Sequence, residues 1–165
     1  MNYSYHSRFI NMGSMTEIHQ PASFRPDALT ALAYGVVIWL AATAALTSLG
    51  PIVLPAAGTR AASITIPAFS ALALLIGIAA FSVFRRSRSD GPALRLLFGS
   101  SITSAGLLLD AALYLVAGGQ YPFIGAEQQG PLAFFLVFAY GALLVAPHAL
   151  PARHAKGQRN GAAAV

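Results

Sequence analysis

Four stretches of this chain run for about twenty residues or more with almost no charge, and a water-soluble fold has no place for them all. A helix rises 1.5 Å per residue, so roughly 20 apolar residues cross the hydrocarbon of a bilayer, about 30 Å thick. Composition agrees: only 9% of the 165 residues are charged and 56% are hydrophobic. Soluble domains carry roughly a quarter charged residues, because a wet surface must be covered. Spanning strands would alternate apolar and polar over about ten residues, which these runs do not. The sequence therefore predicts an all-α, polytopic membrane protein built as an up-down bundle of four transmembrane helices.

The spans are expected at about 28–49, 64–84, 93–117 and 131–150, within a membrane domain of residues 27–150. Asp27 fits a helix start, where a carboxylate meets free backbone N–H groups, and Gly50-Pro51 punctuates the end of the first run. Pro67 falls in the first turns of the second, where a missing N–H costs little. Ser89-Asp90-Gly91-Pro92 reads as a cap and turn with proline near the first helical position. Pro147 is placed to bend the last turn of the fourth run. Residues 1–26 form a polar arm without the apolar run of a secretory signal, and residues 151–165 a small basic tail. Met12 and Met15 offer alternative starts to Met1.

Loop charge gives the expected orientation. Arg8, Arg25, Arg85, Arg86, Arg88, Arg95, Arg153, Lys156 and Arg159 fall on one side, and Arg60 alone on the other. Such a bias puts both termini in the cytoplasm, an N-in/C-in arrangement. Arg95 lies just inside the third run and can snorkel to the interface on its long stem. The net charge of +5 sits beside apolar runs, where it orients spans, so no nucleic-acid partner is expected. The Arg85–Arg88 cluster is an orientation signal first and an anionic-lipid contact second.

Asp110 is the acid that lies well inside an apolar run. A charge there costs upward of about 2.5 kcal/mol, so it must be neutral, paired or hydrated. Gly99, Thr103, Gly106, Asp110 and Tyr114 recur at steps of three and four and share one helix face. Counting equal depth along the other runs reaches Thr43, Ser70 and Tyr140, which predicts a polar cluster of Asp110, Thr43, Ser70 and Tyr140 beside Thr103. That cluster reads either as a structural anchor or as a substrate or proton site. Trp39 reads as a packing residue, and Tyr121 and Phe123 as an outer aromatic belt or a loop lying on the headgroups.

The chemistry that can be excluded is broad. No cysteine is present, so thiolate metal sites, disulfides and thiol redox chemistry are out. His148 sits at the end of a run, without the second intramembrane histidine that haem ligation or a metal site would need. It is also at the wrong end to act as base for Ser70, while Ser100, Ser101 and Ser104 look like packing positions. No catalytic residue, cofactor or metal is expected.

Tyr34-Gly35 through Trp39, Ala42-Thr43, Arg85-Arg86, Gly106-Leu107-Leu108-Leu109-Asp110, Tyr121-Pro122 and Tyr140-Gly141 together give a pattern. It resembles a family of small bacterial four-span membrane proteins known as a domain of unknown function, over about residues 30–150. The resemblance implies a multi-pass protein of the bacterial inner membrane and brings no reaction with it. The expected function is that of a non-enzymatic bundle acting through a second copy of itself or another membrane protein, with the lipid bilayer as its surroundings. The alternative is a small proton-coupled transporter or binding protein that uses Asp110.

Overall fold

The computed structural model describes residues 24–152; the expected arm as far as residue 23 and the tail from residue 153 lie outside the described residues. Four helices make up the described chain, and no strand occurs in it: α1 (Phe24–Val53), α2 (Arg60–Phe84), α3 (Pro92–Val116) and α4 (Gln129–Val145). Each belongs to a helical stretch long and apolar enough to cross a membrane. The boundaries depart from the sequence expectation where side chains supply what the backbone lacks.

α1 does not stop at Gly50-Pro51 but continues through Pro51 to Val53. Its final carbonyls find a donor elsewhere, because the Gln128 amide donates to the Pro51 and Leu54 oxygens. α2 starts four residues before the expected position, since the Thr59 hydroxyl caps the helix by accepting from the Ala62 N–H at 3.3 Å. Pro67 therefore lies two turns inside α2. α3 opens with Pro92 at its first turn, but Asp90 is not its cap; Gly91 holds that place without a side-chain bond. α3 ends at Gly118 and Gly119, whose positive φ angles of 72° and 83° suit glycine alone. α4 tightens into a 3-10 turn over Ala146–Ala149, where Pro147 has no N–H to give.

Consecutive helices joined by short loops are usually neighbours. Here α1 packs on α3, α3 on α4 and α4 on α2, while α1 and α2 do not pack along their lengths. Small residues set this order. A Cβ on Gly35 of α1 would stand 2.9 Å from the Ile102 backbone of α3. One on Gly99 would stand 2.6 Å from the Leu144 carbonyl oxygen, and one on Gly77 of α2 2.7 Å from Ala146. Without side chains at these three points the backbones approach closely, which is how helices with apolar surroundings gain contact. α1 and α2 have no such pairing, and a cleft is left between them.

The end of the bundle that carries its termini is closed by aromatic rings and arginines. Tyr34, Phe81, Phe84 and Phe98 form one cluster, with Phe84 and Phe98 centroids 4.7 Å apart. Arg95 does not snorkel outward. It turns into the bundle, bonds both Asp90 oxygens, and donates to the carbonyls of Pro147 and Leu150 at 3.1 and 2.6 Å. Arg85 reaches Asp90 at 2.9 Å and the Pro151 carbonyl at 3.1 Å. Arg88 pairs with Asp27 at 2.6 Å and lies 4.0 Å over the Phe84 ring. Of the arginine cluster in the second connection only Arg86 is exposed. The physical reason is Asp90, whose side chain is 1% exposed and gathers two guanidiniums that would otherwise seek water.

The packing order predicts a contrast between two glycines. Gly99→Ala drives a methyl into the Leu144 carbonyl and is expected to lower stability by about 1–3 kcal/mol, the cost of overpacking. Gly141→Ala meets nothing within 4 Å on α4 and is expected to be neutral or stabilising by up to about 1 kcal/mol. Thermal unfolding of both variants in detergent micelles measures the difference.

Candidate functional site

Asp110 lies on α3 about two turns before its carboxyl-terminal end and is 6% exposed. Both oxygens are engaged from neighbouring helices. The Trp39 indole N–H of α1 donates to Oδ1 at 2.7 Å, and the Tyr140 hydroxyl of α4 donates to Oδ2. One carboxyl group thus ties three helices together. Gly106, one turn earlier on α3, makes room for Tyr140: a Cβ there would lie 2.5 Å from the ring. Thr103, a turn further back, donates from its hydroxyl to the Tyr140 carbonyl at 3.4 Å.

Of the residues that depth counting brought together, Tyr140 contacts Asp110 directly, and Thr43 lines the same cavity but bonds elsewhere. Its hydroxyl accepts from the Tyr121 hydroxyl at 3.2 Å. Ser70 is not in the cluster. It sits on α2 about three turns from the Phe81, Phe84 and Phe98 rings where α2 meets α3, and its hydroxyl bonds the Ile66 carbonyl of its own helix at 2.8 Å. A helical serine has that back-bond always within reach. Counting residues ignores side-chain length: the indole of Trp39, one turn before Thr43, spans the distance that the threonine does not.

Trp39 is therefore more than a packing residue. A buried indole N–H seeks an acceptor, and Asp110 is the one acid far inside the apolar runs. Tyr121 is a second departure. It is not part of an outer belt but turns inward to 2% exposure, with its ring edge-on to Tyr114 at 5.7 Å. Burial pushes its phenol above the ordinary range, so it remains a neutral donor to Thr43. The connection that holds it is fastened by Gln129, whose amide accepts from the Tyr121 N–H at 3.0 Å and donates to the Tyr121 and Ile124 carbonyls. Phe123 beside it stays 80% exposed, at a φ of 63°. His148 is exposed and lies beyond α4 at the other end of the bundle.

These groups face a cavity of about 270 Å³. Its floor is Gly106 and Asp110 of α3 with Ala139 and Tyr140 of α4. One wall is the Trp39–Val53 side of α1; the other is Phe69, Leu72, Ala73 and Ile76 of α2. Ala42, Ala45, Leu49, Leu72 and Ile76 are exposed as well as lining it, so the cavity opens sideways through the cleft between α1 and α2. The result is an apolar groove with one carboxyl and three ring-borne donors at or near its base. A carboxylate has about four acceptor positions, and Trp39 and Tyr140 take one on each oxygen. Among the described residues no three His, Asp or Glu side chains converge on a metal-sized site.

If both donors act through Asp110, their effects must depend on it. Trp39→Phe and Tyr140→Phe are each expected to cost about 0.6–2 kcal/mol in unfolding free energy. In an Asp110→Ala background both losses should largely vanish, as a double-mutant cycle will show. Equal losses in the two backgrounds would mean that the donors stabilise the bundle by other contacts.

No family model, no curated protein and no solved structure matches this chain.

Proposed function

We propose that this chain is a multi-pass protein of a bacterial inner membrane, with both ends cytoplasmic, and that it binds a molecule entering from the lipid phase. It acts without catalysing a reaction. The observation that carries this reading is the sideways opening of an apolar groove whose base holds a hydrogen-bonded carboxyl group. Four apolar helices and the nine-to-one distribution of Lys and Arg support the location and orientation. The Gly106–Asp110 stretch with Tyr140-Gly141 supports kinship with the four-span family it resembles.

Binding sites for small molecules are concave, mostly apolar and furnished with a few convergent polar groups. The groove has that character. A second copy or another membrane protein could cover the same opening, as the sequence led one to expect, but a flat helix face would leave the polar base unfilled. Proton-coupled transport has less support: the side chains bonded to Asp110 are an indole and a phenol, and among the described residues no second carboxyl and no imidazole line the groove.

The reading is tested by extracting the chain from its membrane directly into lipid nanodiscs and identifying bound molecules by mass spectrometry. Ala42→Phe, at the exposed mouth of the groove, should fold normally and fill the opening. The wild type is expected to retain a molecule, enriched over the bulk lipid, that Ala42→Phe loses. Identical content in both forms would contradict the proposal. A double-mass particle lost in Ala42→Phe would assign the groove to a second copy.

A further inference from the structure

The three aspartates of the described chain are treated in two different ways. Asp27 and Asp90, at the end that carries the termini, are each paired with arginine: Arg88 for the first, Arg85 and Arg95 for the second. Asp110 forms no ion pair with any described residue, although it is as deeply buried as those guanidiniums. Its bonded partners are the neutral donors of Trp39 and Tyr140, and these leave acceptor positions open on both oxygens. Those positions suit a ligand group that donates hydrogen bonds or carries positive charge.

The surroundings add a second preference. Aromatic rings of Trp39, Phe69, Tyr121, Phe135 and Tyr140 border the cavity. Ring faces attract a desolvated cation, tryptophan most strongly, and quaternary ammonium groups are the ligands that such surroundings recognise best. Size sets the third condition. At about 270 Å³ the cavity lies just below the lower bound of about 300 Å³ for drug-sized pockets. It suits a compact head group whose tail leaves through the cleft past Leu49 and Leu72.

Resting on the groove being a binding site, we propose that its ligand is a lipophilic monocation, an ammonium or quaternary ammonium group on an apolar body, held with its charge against Asp110. The apolar body follows the wall of α1 and α2 toward the lipid. Trp39 and Tyr140 keep the carboxyl group aimed at the head group rather than collapsed onto its own helix.

The chain carries its own reporter, because Trp39 is its single tryptophan and lines the groove. The protein in nanodiscs of an uncharged glycolipid, which carries no ammonium group, is titrated with dodecyltrimethylammonium and, separately, with uncharged dodecanol, reading Trp39 emission. The expected result is a saturable response to the cation at least tenfold tighter than to dodecanol. Asp110→Asn should weaken the cation at least tenfold and leave dodecanol nearly unchanged, and Ala42→Phe should abolish both responses. Equal affinity for the two probes in the wild type overturns the cation assignment while leaving an apolar binding site. That comparison decides the matter even if Asp110→Asn does not fold. No saturable response to either probe, or responses that survive Ala42→Phe, overturn both this inference and the binding reading it rests on.

Discussion

Helices side by side in hydrocarbon gain nothing by hiding apolar surface from one another, so close packing and polar pairs must join them. For a bundle placed in the membrane, as we propose, that constraint accounts for nearly every feature. Gly35, Gly77 and Gly99 let backbones meet, and they do so along the α1–α3, α2–α4 and α3–α4 lines. Polar pairing gathers at three levels: the arginines with Asp90 and Asp27 at one end, the Gln128 and Gln129 amides with the Tyr121–Thr43 pair at the other, and Asp110 between them. Where neither device is present, between α1 and α2, the helices stand apart. The groove follows from that omission.

The two buried acids show how position changes what a carboxyl group does. Asp90 sits among guanidiniums that also bond the Pro147 and Leu150 carbonyls just beyond α4, so its charge is spent on closing the bundle. Breaking a buried pair of this kind costs about 3–5 kcal/mol, because the stranded partner keeps its desolvation. Asp110 has only neutral donors and faces an opening. Three helices converge on it, which fixes the carboxyl group in place, yet nothing in the described chain neutralises it.

Fold class was legible because the four runs admit one arrangement of backbone hydrogen bonds. The third-helix face was legible too: Gly99, Thr103, Gly106 and Asp110 recur with helical period, and Gly99, Thr103 and Gly106 pack on α4. What could not be read was which helices touch. Placing Ser70 beside Asp110 assumed that every span surrounds a common centre, but α2 meets α3 through the Phe81, Phe84 and Phe98 rings, about three turns beyond Ser70. Reach and capping were equally hidden. An indole spans what a threonine cannot, and Gln128 carries α1 past a proline by bonding carbonyls across 74 and 77 positions of sequence. Trp39 could have been found from its need for an acceptor, since few acceptors lie inside the runs. The inward turn of Tyr121 depends on Gln129, and no local pattern announces it.

The central claim is that Trp39 and Asp110 stand together in a groove open to lipid, not to water. Fluorescence of Trp39 in bilayers whose acyl chains carry bromine at mid-depth tests it most directly, since bromine quenches only a ring it can approach. Strong quenching by the brominated chains, with little by aqueous iodide, is the predicted result. Quenching by iodide and indifference to the brominated chains would place the indole in water and contradict the account.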